Sequence, residues 1–81
     1  MVEPAFVEDD RYPDLPDWVR PGATFRYDFG PGNHNTGRVF HVRAVVDNRA
    51  VIREWDRHRQ RWVYSVEATW FLQGDNIKPE I

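Results

Sequence analysis

The sequence contains no cysteine, and this absence excludes disulfide scaffolds, thiol nucleophiles and zinc sites built on thiolates. It also lacks any apolar run near the roughly 18 residues that a membrane-spanning helix needs. Serine occurs once, at Ser65, and lysine once, at Lys78. Because the acidic start has none of the positive residues of a signal peptide, we expect a soluble cytoplasmic protein without a membrane partner.

The length of 81 residues allows one domain and no more. Four prolines fall within the first 21 residues, and each removes a backbone donor and disfavours helix at the residue before it. We therefore predict an extended, proline-containing acidic arm at residues 1–17 and a single small β domain at residues 18–81.

The net charge of −2 argues against a generally basic nucleic-acid coat, but it is the sum of three unlike segments. Residues 1–17 have a net charge of −5, residues 18–64 of +5 and residues 65–81 of −2. The arm carboxylates that we single out are Glu8, Asp9, Asp10, Asp14 and Asp17. Such a run is typical of a solvated tail, and the alternatives are folding on a partner or docking onto the arginine-rich middle.

Alternating side chains and turn residues predict a meander of short strands in the domain. The predicted elements are strands at 24–29, 38–46, 49–56, 61–66 and 76–81, with one helical turn at 67–72. A glycine-rich loop separates the first two strands. We expect Asp47-Asn48 to form a two-residue hairpin turn and residues 57–60 to form the tip of the next hairpin.

These two turns predict which side chains share a face of the sheet. The first hairpin would pair Val46 with Arg49, Ala44 with Val51, Val42 with Arg53 and Phe40 with Trp55. The second would pair Asp56 with Arg61, Trp55 with Trp62, Arg53 with Tyr64 and Val51 with Val66. Because a slip of one residue moves every side chain to the other face, the apolar match selects this register. It predicts an inner face that carries the aromatic rings and an outer face that carries Val45, Ile52 and Val63.

The domain resembles an SH3-like barrel in its Val19-Arg20-Pro21-Gly22 entry, the long loop after the first strand, the meander and the helical turn before the last strand. The expected fold is mainly β, a small five-stranded barrel whose closure removes exposed edges. An OB-like barrel and a helix-capped sheet are the alternatives. The resemblance implies a binding module for peptides, proteins or nucleic acid, although a minority of such barrels are oligomeric enzymes.

Two candidate binding surfaces follow from the predicted register. One is a cationic cluster around the second hairpin, comprising Arg49, Arg53, Arg57, Arg59 and Arg61, which can contact a phosphate backbone. Arg53 either packs its stem on the neighbouring rings or presents its guanidinium to a ligand carboxylate or phosphate. The other surface is the outer Val45, Ile52 and Val63 face, to be covered by the arm, a second copy or a foreign partner.

Signals for catalysis and metal binding are poor, so we predict no enzyme, no metal and no cofactor. The three histidines lack ligand spacing, and no acid–base constellation surrounds Ser65. The first functional hypothesis is a protein-binding module, in one version a phage or mobile-element accessory protein that inhibits a host defence complex, as anti-CRISPR proteins do. The second is a nucleic-acid-binding barrel that uses the arginine hairpin, although the predicted burial of its rings counts against base stacking. A homodimer is a further expected partner arrangement.

Overall fold

Five strands and one short helix follow one another in the computed structural model, which describes residues 14–80. They are β1 (Thr24–Tyr27), β2 (Val39–Val46), β3 (Arg49–Asp56), β4 (Arg61–Ala68), α1 (Thr69–Leu72) and β5 (Ile77–Glu80). The predicted mainly β class, with five strands and one helical turn, is confirmed. β4 runs two residues further than predicted, because its pairing with β3 continues to Ala68 opposite Arg49.

The strands form one antiparallel sheet in the order β4-β3-β2-β1-β5. β1 lies between β2 and β5, so the last strand pairs with the first strand of the domain. Within residues 14–80 the two outermost strands, β4 and β5, are not hydrogen-bonded to each other. The sheet is therefore open, and the predicted closure of the barrel is not made by hydrogen bonds.

The β3–β4 hairpin has the predicted register over its whole length. Its pairs include Asp56–Arg61, Trp55–Trp62, Arg53–Tyr64 and Val51–Val66. Gln60 at its tip and Asp47 in the preceding turn adopt positive φ values of 56° and 54°. Asp tolerates this left-handed conformation better than most residues, which agrees with the turn predicted at Asp47-Asn48.

The β2–β3 hairpin departs from the predicted register at Arg43. The pairs next to the turn, Val46–Arg49 and Ala44–Val51, are those predicted, but the later pairs are Val42–Ile52 and His41–Arg53. Arg43 is thus the extra residue of a β-bulge. Because side chains alternate, the bulge places Val42 on the same face as Ile52. The predicted pairs Val42–Arg53 and Phe40–Trp55 are wrong for this reason.

The core lies on the inner face of the sheet and is mostly aliphatic. Its buried apolar members are Val19, Phe25, Phe40, Val42, Ala50, Ile52, Ala68 and Leu72. The fully buried Phe25 stacks on Phe40, with ring centroids 5.1 Å apart, and meets the edge of Trp18 at 5.5 Å. Leu15, from the stretch predicted as arm, also packs against this core.

α1 closes one side of the core with the buried side chains of Thr69 and Leu72. It follows β4 without a loop, so the chain turns directly from the sheet edge into the helix. With four residues α1 is far too short to cross a membrane, and residues 14–80 contain no longer helix.

Candidate functional site

The outer face of the β3–β4 hairpin carries three aromatic side chains that the core leaves out. Trp55 is 44% exposed, Tyr64 is 56% exposed, and Trp62 is half-buried between them. The prediction that these rings, together with Val66, form the inner face is wrong. The bulge at Arg43 turns the apolar residues of β2 toward Ala50 and Ile52 instead, which leaves the rings on the solvent side.

Arg53 links two of these rings. Its guanidinium carbon lies 3.8 Å from the centroid of the Trp62 ring, and its Nη1 donates a hydrogen bond of 3.2 Å to the Tyr64 hydroxyl. Its Nε is buried without a hydrogen-bond partner in the described part of the chain. Arg53 therefore packs on the neighbouring rings, which was the first of the two roles predicted for it. The second role, contact with a ligand carboxylate or phosphate, stays a prediction. A stacked, desolvated guanidinium of this kind contributes more than a solvated one.

Trp62 is the centre of the patch. Trp55 meets it edge-on with centroids 5.2 Å apart, and His41 of β2 does so at 5.6 Å. His41 lies opposite Arg53 because of the bulge, whereas the predicted register sets Val42 there. We define the aromatic patch as His41, Arg53, Trp55, Trp62 and Tyr64. Sequence reasoning missed His41, which only the shifted register brings beside the rings.

The aromatic patch receives no carboxylate from β3 or β4. Glu54 and Glu67 alternate onto the inner face, where both line a small cleft. Glu54 accepts hydrogen bonds from two nitrogens of Arg38, one of them Nε at 2.6 Å, and this contact raises the pKa of the Arg38 guanidinium. The Glu54 carboxylate is thus neutralised on the inner side, and by register neither β3 nor β4 places a carboxylate on the outer face.

Asp56 organises the arginine-bearing tip of the hairpin. Its Oδ1 accepts hydrogen bonds from the backbone N–H groups of His58, at 3.0 Å, and Arg59, at 3.2 Å. The bond from Arg59 is the main reason why the pKa of the Asp56 carboxyl is lowered. The side chains of Arg57, His58 and Arg59 are exposed beyond this turn.

The five arginines of the predicted cluster do not share one surface. By strand register Arg49 and Arg53 lie on the outer face, and Arg61 lies with Asp56 on the inner one. Arg57 and Arg59 belong to the turn between them. The structure therefore brings Arg53 to the aromatic patch, with the two turn arginines at the end of the same hairpin.

The predicted outer surface of Val45, Ile52 and Val63 is not an outer surface. Ile52 is 1% exposed and belongs to the core, and Val45 packs against that core. Val63 is 42% exposed but lines the inner cleft together with Ile52. The prediction is wrong because of the bulge at Arg43. It sets Val42 of β2 opposite Ile52, so the face of β3 and β4 that carries Ile52 and Val63 is the face that joins the core.

The inner cleft has a volume of about 240 Å³. It lies on the inner face of the sheet, beside the core and next to β4. Tyr27, Phe40 and Phe71 form its aromatic wall. Burial is the main cause that raises the pKa of the Tyr27 hydroxyl. Among residues 14–80 no group of three or more histidine, aspartate or glutamate side chains could hold a metal ion.

The acidic arm contributes little that the structure can describe. Glu8, Asp9 and Asp10 lie outside the described residues, whereas Asp14 and Asp17 are exposed. The backbone carbonyl of Asp17 accepts a hydrogen bond of 2.9 Å from Arg20 Nε. The predicted binding role of the arm and its boundary with the domain stay predictions.

Comparisons with protein-family models, curated proteins and solved structures found no match for this chain. No enzyme family or relative therefore suggests a reaction. A function has to be inferred from the side chains of the site itself, since a fold alone does not determine one.

Proposed function

We propose that this protein is a non-catalytic binding module that binds single-stranded nucleic acid on its aromatic patch. The observation that carries the proposal is the exposed position of Trp55 and Tyr64 beside Trp62, with Arg53 stacked on that ring at 3.8 Å. Besides the lack of a generally basic charge, the expected burial of these rings was an objection to nucleic-acid binding. That objection disappears once the rings lie outside.

Base stacking supplies the first part of the expected affinity. Exposed aromatic side chains that stack on bases contribute about 1–3 kcal/mol per base, and they do so with any base because every base has a π-face. Trp55 and Tyr64 are the two rings with the most exposed surface in the patch. We therefore expect weak sequence preference and contact with two bases.

Phosphate contacts supply the second part. Arg53 lies in the patch, and Arg57 and Arg59 are exposed at the tip, where Arg59 also has a salt bridge of 3.7 Å to Asp56. Each phosphate neutralised on a single strand changes the slope of log K against log salt by about −0.7. Three contacts predict a slope of about −2, which is modest and agrees with a chain that is not basic overall.

The geometry favours single strands over duplexes. Bases inside a duplex are stacked on each other and cannot lie against a side-chain ring, whereas unpaired bases can. A duplex would keep only the arginine contacts to phosphates and would lose the contribution of Trp55 and Tyr64.

The architecture supports a binding role as well. The long loop after β1, the meander of β2 to β4 and the helical turn before β5 are the features on which the SH3-like resemblance rests. We infer an SH3-like arrangement with an open seam.

Fluorescence anisotropy of a labelled oligothymidine of about 12 nucleotides, within the site sizes of single-strand binders, tests the proposal. We expect the wild type to bind at low salt and Tyr64→Ala to lower the affinity roughly tenfold, equal to about 1.4 kcal/mol. Phe29→Ala is the matched control, because Phe29 is an exposed ring outside the patch.

Equal affinity of the wild type and Tyr64→Ala, or no binding by the folded wild type, contradicts the proposal. A protein partner captured through the same patch, with no oligonucleotide binding, would establish the protein-binding hypothesis instead. The inhibitor version of that hypothesis, in which carboxylates of the acidic arm would imitate DNA phosphates, stays a prediction.

A further inference from the structure

The two edges of the sheet differ in how they are protected from pairing with another strand. β5 has four residues and includes Pro79, Lys78 and Glu80. Short strands, prolines and charges are the usual devices that keep an edge from pairing. β4 has eight residues, contains neither proline nor glycine, and has no strand hydrogen-bonded to its free side in residues 14–80.

We propose that β4 pairs antiparallel with β4 of a second copy of this chain, so that two sheets become one. This inference does not rest on nucleic-acid binding, since it is argued from the free backbone edge of β4 and the charges at its two ends, although Trp62 and Tyr64 of the aromatic patch lie on the same strand. Exposed strand edges offer unpaired N–H and C=O groups that another strand can satisfy. Most of β4 is also accessible, because every residue from Val63 to Val66 is exposed.

The charges at the two ends of β4 favour a second copy of the same strand as the partner, and they determine the register between the two copies. A two-fold axis through Tyr64, perpendicular to the sheet, sets Trp62 opposite Val66 and Arg61 opposite Glu67 of the second copy. Such an axis keeps the outer faces on one side, so facing residues share a face. The dimer then contains two Arg61–Glu67 contacts and two apolar contacts, which makes the strand complementary to itself.

Neighbouring registers lose this complementarity. With the axis moved to Ser65, Arg61 would face Thr69 in the helix, and Val63 would face the carboxylate of Glu67. Neither Arg61 nor Glu67 has a salt bridge to another residue of the described part. Both side chains are therefore available for a contact between copies. With the axis at Val63, Arg61 would face Ser65 and Glu67 would face Arg59 in the turn, so only the Tyr64 axis pairs opposite charges within the strand.

One consequence concerns the aromatic patch. Because the axis through Tyr64 preserves the outer side, the patches of the two copies become neighbours on one continuous surface. Two linked sites raise the overall affinity for a ligand long enough to reach both, without any new contact at either site.

Sedimentation equilibrium of the full chain tests the dimer. The chain has a mass of 9.7 kDa, and we expect an average mass that rises toward twice that value as concentration approaches about 100 µM. Arg61→Glu places like charges opposite each other twice and is expected to raise the dissociation constant at least about tenfold. Arg57→Glu makes the same charge change in the turn and is the matched control.

Rescue keeps the test informative if a single variant weakens the hairpin. The double variant Arg61→Glu with Glu67→Arg restores both contacts with the charges exchanged. An equimolar mixture of the single variants Arg61→Glu and Glu67→Arg also restores both contacts, in the mixed dimer. We expect dimers in both cases. A full chain that stays monomeric, or a dimer that Arg61→Glu does not weaken, overturns the proposal.

Discussion

The inner and outer faces of the β3–β4 hairpin divide the apolar side chains of the molecule in an unexpected way. On the inner face the small aliphatic residues Ala50 and Ile52 are buried, whereas on the outer face the much larger Trp55 and Tyr64 are exposed. Apolar size therefore does not locate the core here. The face that packs is decided by the register with β2, and the face left over keeps the rings available for binding.

The largest expected effect separates the two faces by stability. Ile52→Ala leaves a cavity in the core and should lower the free energy of unfolding by about 2–5 kcal/mol. Trp55→Ala removes a larger side chain but from an exposed position, so we expect a loss of about 1 kcal/mol or less. Denaturant unfolding measures both, and a larger loss for Trp55→Ala would reverse the assignment of the faces.

A second prediction concerns Arg53, where the outer face combines packing with charge. Arg53→Met retains an apolar stem on Trp62 but removes the guanidinium. We expect the free energy of unfolding to change by about 1 kcal/mol or less, and the affinity for oligothymidine to fall roughly tenfold. The salt slope should become shallower by about 0.7. A large stability loss with unchanged affinity would show that Arg53 is structural only.

A smaller effect is expected at the tip. Arg57→Gln and Arg59→Gln each remove one exposed charge and should weaken oligonucleotide binding a few-fold, equally for all sequences, as phosphate contacts do. Arg20→Gln, an exposed arginine that precedes β1 and lies outside the hairpin, is the control. Anisotropy titrations at several salt concentrations distinguish a phosphate contact from an unrelated loss, because only the former reduces the slope.

The smallest effect is the pH dependence of the tip. The pKa of Asp56 is lowered in the folded chain, mainly by the hydrogen bond from the Arg59 N–H group. Its contribution to stability is therefore present above the ordinary aspartate pKa and is lost as pH falls through the lowered folded value. An NMR titration of the Asp56 carboxyl should show a midpoint below that of an unperturbed aspartate. An ordinary midpoint would mean that the turn is not held by this carboxylate.

Local turn chemistry explains why one hairpin was predictable and the other was not. The tip at residues 57–60 determines the β3–β4 register, and all of its predicted pairs are present. The β2–β3 turn is also in the predicted place, but Arg43 inserts one extra residue further along β2. No glycine or proline marks this bulge in the sequence, and alternation alone cannot locate a single inserted residue.

One signal in the sequence could have revealed the outer face. Arg49 and Arg53 alternate with Ala50 and Ile52 along β3, and arginine is seldom buried, so the arginine side of the strand was the better candidate for solvent. The aromatic residues on that side favoured the opposite choice. The contact of Arg38 with Glu54 had no such signal, because it joins residues 16 positions apart across the start of β2.

The most direct test of the division between the faces is an NMR titration of the wild type with oligothymidine. Binding on the aromatic patch predicts the largest shift changes at the indole N–H of Trp62 and the backbone amides of Arg53 and Tyr64, with little change at Tyr27 and Phe71 of the inner cleft. Larger changes at the inner cleft, or none anywhere, would contradict this account.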